Sequence, residues 1–107
     1  MKLYKGWKVT NYESYSCIIN YAQGSVRYVK GKWTKPHRNN GPLAVFDNLN
    51  DALRFNEGMT DLHKCLYEKS EYTHMWYIDI YSGARIDWAG EQYPSGTSFA
   101  SRVMIVD

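Results

Sequence analysis

The chain has 107 residues, 44% of them hydrophobic and 22% charged, with a formal net charge of +2. That length supports one domain, residues 1–107, around one core, and with 16% aromatic residues the composition excludes a disordered chain. No apolar run approaches the roughly 20 residues of a membrane span. Residues 1–7 lack the apolar stretch of a secretory signal, so a cytoplasmic location with no membrane partner is expected.

In chain order, residues 7–10 read as a short alternating strand, and 15–21 (YSCIINY) as a strand rich in β-branched and aromatic residues. Residues 26–33 (VRYVKGKW) resume the β pattern, which predicts an antiparallel hairpin with 15–21. Residues 34–41 (TKPHRNNG) form a polar loop, expected to be the most mobile part of the chain. The wholly apolar run 42–46 (PLAVF) predicts a strand buried on both faces.

One helix is predicted, at about residues 48–57. Asp47 or Asn48 can cap it, and Asp51 complements the dipole of its first turn. Leu49, Ala52, Leu53 and Phe55 supply its apolar stripe, and Gly58 its C-terminal stop. Strands follow at 62–68, at 75–81, at 84–88 after a Ser82-Gly83 turn, and at 99–106 after a Gly/Pro loop. The fold class is α+β, a bent, mostly antiparallel sheet of about seven strands carrying one short helix. Ile18, Val45, Phe46, Leu49, Leu53, Ile78, Ile80, Val103 and Ile105 are the expected core.

Charge is unevenly placed. Residues 1–40 hold eight basic groups and the single acid Glu13, a net of +7, whereas 41–107 carry a net of −5. Either the basic half faces an anionic partner or it pairs with the acidic half across the fold.

The runs GPLAVFDNLNDALRF, HKCLYE and YPSGTSFASRV resemble those of small accessory proteins of bacteriophages and prophages, in which a VFD-x-L-x-D-A-x-x-F turn leads from a buried strand into a short helix. The resemblance covers roughly residues 26–106 and carries over no catalytic residue. It implies a viral accessory protein acting in the host cytoplasm against host defence. Such a protein either sequesters a nucleotide signal or inhibits an immune nuclease complex of the CRISPR type. A more distant likeness to small ADP-ribosyltransferase-like folds rests on fold alone.

No catalytic motif is present. His37, His63 and His74 lack metal-ligand spacing, and Cys17 and Cys65 are isolated, so neither a metal nor a cofactor is expected. His63 and Cys65 share a strand face, which is half a site at most. The suggestive chemistry lies in residues 31–35 (GKWTK), where two lysines bracket an indole and a hydroxyl. Trp33 can stack a base while Lys32, Lys35 and Arg38 meet phosphates. In the 94–98 turn (PSGTS), Thr97 and Ser98 can donate to an anion. The bland alternative is a solvated strand end and an ordinary turn. The expected function is non-enzymatic sequestration of a nucleotide or cyclic oligonucleotide. The alternatives are a protein-interaction inhibitor of a host defence protein and a small transferase-like enzyme. A domain this small has little room for a deep pocket, so a site shared within a homo-oligomer is allowed.

Overall fold

The computed structural model describes residues 2–11, 14, 26–37, 39–55, 61–87 and 93–107. These form seven strands and one helix: β1 (Tyr4–Thr10), β2 (Trp33–Thr34), β3 (Leu43–Phe46), α1 (Leu49–Phe55), β4 (Asp61–Lys69), β5 (Trp76–Ile78), β6 (Arg85–Asp87) and β7 (Thr97–Ile105). The α+β class is thus observed, with every strand pairing antiparallel. The sheet divides in two. β1, β3, β7 and β4 close into a small barrel, because β1 pairs with both β3 and β4, and so does β7. β2 lies on the β7 edge opposite β4, since Met104 is the partner of both Trp33 and Leu66. β5 and β6 make a separate two-stranded ribbon.

Alternation along the strands sorts side chains into two layers. Gly6 lies opposite Cys65 and Tyr4 opposite Tyr67, so all four share the inner face. There Leu43, Val45, Cys65, Tyr67, Val103 and Ile105 fill the barrel, with Tyr28 in the same buried cluster. Gly6 has no room for a side chain, because a Cβ there would lie 2.9 Å from both the Phe46 carbonyl and the Tyr67 ring. The outward-facing Val9 and Phe46 are covered instead by Ala52 of α1, with Trp7, Phe55 and Leu62 around them.

The cap of α1 is as expected. Asp51 donates its backbone N–H to Asn48 Oδ1 at 2.9 Å, and Asn48 Nδ2 donates to Asp51 Oδ2 at 2.7 Å. Its buried stripe differs from the prediction. Ala52 is fully buried and Phe55 half-buried, but Leu49 and Leu53 are 39% and 49% exposed. The small Ala52 brings the helix close to Phe46, which turns the two leucines to its flank. Of the other expected core residues, Val45, Phe46, Val103 and Ile105 are buried and Ile78 half-buried. Ile80 is 47% exposed, because β5 ends at Ile78 and the chain turns there, with Gly83 N–H donating to the Asp79 carbonyl at 2.8 Å.

The predicted strand over 26–33 shrinks to β2. Lys30 and Gly31 turn the chain, Gly31 at φ 80°, and Lys32 N–H donates to the Val29 carbonyl at 3.1 Å. The 34–41 loop is tied down rather than loose. Trp76 Nε1 donates to the Asn39 carbonyl at 2.9 Å, Ile78 N–H to Asn40 Oδ1 at 2.8 Å, and Gly41 N–H to the Trp76 carbonyl at 2.9 Å. The strand expected at 15–21, with Ile18 and Cys17, lies outside the described residues, as do Gly58 and Trp88. Among the described residues no helix is long and apolar enough to cross a membrane.

Candidate functional site

Trp33 occupies the outward face of β2, half-buried beside Met104. The Arg102 guanidinium stacks over its ring at 4.1 Å and reaches the Glu68 carboxylate at 3.4 Å. Lys32 and Lys35 flank the indole and are exposed. Arg38 lies outside the described residues. Lys32, Trp33 and Lys35 are thus neighbours along the chain at β2, with Arg102 over the indole.

Thr97 and Ser98 are elsewhere. Trp33 is paired with Met104, seven residues along β7 from Thr97, which is about 20 Å of strand. Both hydroxyls are engaged. Thr97 Oγ1 donates to the Pro94 carbonyl at 2.6 Å, and Ser98 Oγ donates to Asp47 Oδ2. The surroundings are also anionic. Asp47 accepts from Ser98 and from the Tyr67 hydroxyl, while Gly96, at φ 83°, lies so close to Asp51 that a Cβ would overlap its carboxylate. A turn bordered by two carboxylates repels an anion, so Thr97 and Ser98 do not join the Trp33 surface. Their physical role is to close the strand-to-helix corner. Burial, and then the bond to Asp47, push the Tyr67 phenol well above its ordinary range and keep it protonated.

The ion pairs Arg54–Asp51 (3.1 Å), His63–Asp107 (3.3 Å), Arg85–Asp87 (2.8 Å) and Arg102–Glu68 (3.4 Å) all join groups within residues 41–107. Lys5, Lys30, Lys32 and Lys35 stay exposed. Lys8 alone is buried among the lysines of β1. Its ammonium donates to the Ala44 carbonyl at 2.7 Å and lies 5.0 Å from the Tyr28 ring centroid.

Two features escape sequence reading. The outward face of β1 carries Trp7, with Lys64 directly opposite on β4 and its Nζ 6.0 Å from the indole centroid. The signal was the alternation of residues 4–10, but which face lies outward depends on barrel closure. The second is a groove of about 470 Å³ between the 37–40 loop and the ribbon, lined by His37, Asn39, Asn40, Ile78, Asp79 and Ile80.

His63 and Cys65 do not form a nucleophilic pair. His63 Nδ1 is bonded to Asp107, and burial pushes the Cys65 thiol from 9.0 to about 12 despite the counteracting charge of Lys8. Comparison with family models, with curated proteins and with solved structures finds no match.

Proposed function

We propose that the chain is a non-enzymatic binding protein for a nucleotide or cyclic oligonucleotide, with a base stacked at Trp33 and phosphates met by Lys32 and Lys35. The observation that carries the reading is the half-exposed indole, held by Arg102 at 4.1 Å, with exposed lysines on either side of it along the chain. Stacking plus phosphate neutralisation is the chemistry by which proteins hold nucleotides without sequence preference. Sequestration of a host signal is the role that the likeness to phage accessory proteins suggests for such a site. Calorimetry against linear and cyclic nucleotides tests it. Trp33→Ala should weaken binding by about 1–3 kcal/mol with little change in salt dependence. Lys35→Ala should weaken it and flatten the salt dependence. Silence across the whole panel rejects the reading.

A protein-interaction inhibitor is the second reading, and the ribbon favours it. Its tip presents Ile80 and Tyr81, the latter 83% exposed, beside the groove, and Ile86 is exposed on β6. Exposed aromatic and apolar groups of this kind anchor protein partners. Under this reading Tyr81→Ala abolishes capture of a defence complex while nucleotides bind nowhere.

A further inference from the structure

The β5–β6 ribbon has one edge that is held and one that is open. Asp79 N–H donates to the Ala84 carbonyl at 2.9 Å, and the pairing runs on through Ile78–Arg85, Tyr77–Ile86 and Trp76–Asp87. Bonding alternates along an antiparallel pair, so Tyr77 and Ile86 exchange their bonds. The N–H and C=O groups of Trp76 and Ile78 then point away from β6, and those of Arg85 and Asp87 point away from β5. On β5 the outward groups are used: Gly41 N–H donates to the Trp76 carbonyl at 2.9 Å, and Ile78 N–H to Asn40 Oδ1 at 2.8 Å. On β6 nothing among the described residues bonds to the outward groups, and all three of its residues are exposed, Ile86 at 40%. An open edge of this kind accepts a further strand.

We infer that the strand accepted by β6 is the β6 of a second copy of this chain, paired about a two-fold axis at Ile86. The reason is the order of its residues, Arg85-Ile86-Asp87. Antiparallel pairing about that axis sets Arg85 opposite the partner's Asp87 and Asp87 opposite the partner's Arg85. Both ionic contacts are attractive, and the outward groups of these residues supply four backbone hydrogen bonds between the copies. Within one copy Arg85 Nε holds Asp87 Oδ1 at 2.8 Å, and the guanidinium lies 4.2 Å from the Trp76 ring centroid. Pairing joins these two ion pairs into a ring of alternating charge on the Trp76 face, and brings the two exposed isoleucines together on the other. An edge protected by charge of one sign repels its own copy; this edge carries opposite signs at the positions that the axis relates. The union is a four-stranded sheet, whereas a two-stranded ribbon alone is marginal in water. Three paired residues on each side do not reach the roughly 1,200–2,000 Å² of a standard interface, so the dimer is weak and reversible.

The test is sedimentation equilibrium of the full chain at concentrations up to about 1 mM, which should show a monomer–dimer equilibrium. Hydrogen exchange at the Arg85 and Asp87 amides should slow as the concentration rises, while the amides of β4 are unaffected. Arg85→Glu alone and Asp87→Arg alone each place like charges opposite one another at both contacts, and each should weaken the dimer roughly tenfold. An equimolar mixture of the two variants sets arginine against acid throughout and should dimerise as the parent does. Because Arg85 also covers Trp76, Asp87→Pro provides a second test should Arg85→Glu disturb the ribbon. The Asp87 N–H is not used within the ribbon, so proline there removes a donor between the copies and keeps the β5 pairing; the dimer should be lost. The inference is overturned by a chain that stays monomeric at the highest concentration, which leaves the edge to a strand of another protein. It is equally overturned by a dimer whose Arg85 and Asp87 amides exchange as in the monomer, or by single charge variants that dimerise like the parent.

Discussion

The barrel and the β5–β6 ribbon are built from the same kinds of residue yet are held by different means. Each barrel strand has neighbours on both sides, and the inner residues Val45, Cys65, Tyr67 and Val103 are almost wholly buried. The ribbon has one pairing, three residue pairs long, and every residue of β6 is exposed. An isolated two-stranded ribbon is at best marginal in water. What holds this one is the indole of Trp76. It donates to Asn39, carries Arg85 over its ring at 4.2 Å, and is flanked edge-on by Tyr72. The barrel thus distributes its stability over many contacts, while the ribbon concentrates it in one anchor.

Substitutions can separate the two regimes. The largest effect is expected from Phe46→Ala, which empties the interface between β3 and Ala52. It should cost about 3–5 kcal/mol and lower the melting temperature of the whole chain; an unchanged melt would show that α1 does not depend on this contact. Gly41→Ala should act on the ribbon alone. A Cβ at Gly41 would lie 2.6 Å from the Trp76 ring, so the indole must shift, at about 1–3 kcal/mol. Hydrogen exchange should then speed up at Ile78, whose N–H is held by Asn40, while the amides of β4 keep their protection. Equal acceleration in both would show that the regions unfold as one.

Alkaline titration sharpens the picture of the barrel. Burial raises the Cys65 thiol from 9.0 to about 12. The folded state therefore favours the neutral thiol. Its stabilisation is complete below pH 9 and is lost as the pH climbs from there towards 12. Melting temperatures should fall over that window, and Cys65→Ala should make the fall shallower. A slope identical to the parent would assign the loss to other groups. The smallest effect is expected at the ribbon tip. Tyr81→Ser should change stability by no more than about 0.5 kcal/mol, which a chemical denaturation curve can establish.

Legibility in the sequence followed the range of the interactions. The strand over 43–46, the Asn48 cap and the Ser82-Gly83 turn were readable, because each depends on residues within a few positions of one another. Leu49 and Leu53 were misplaced because periodicity gives a stripe but not its centre; the small side chain at Ala52 set that centre by permitting close approach. Ile80 was misplaced because β5 stops three residues short of the end of the 75–81 run. The loop over 34–41 looked loose from its Asn, Gly and Pro content, yet Trp76 binds the backbone of Asn39 and Gly41, and Ile78 binds the Asn40 side chain, far along the chain. At the candidate site, Lys32, Trp33 and Lys35 are adjacent in the sequence, so their nearness needs no fold to be read. The separation of Thr97 and Ser98 from it was not, since that is fixed by the β7 register and by two aspartates that arrive from the strand-to-helix corner.

The closure of the barrel bears on how the chain reaches this state. Tyr4 meets Tyr67, Leu43 meets Ala100 and Cys65 meets Ile105, so each seam joins residues far apart along the backbone. No seam but the brief contact of β1 with β3 can form before β4 has been synthesised, and the ring cannot shut until β7 has left the ribosome. Loop entropy must be spent before these distant pairings return anything, which slows folding and leaves β3 and β4 with open edges in the nascent chain. Those edges make the period just before β7 emerges the one in which this protein is most exposed to aggregation.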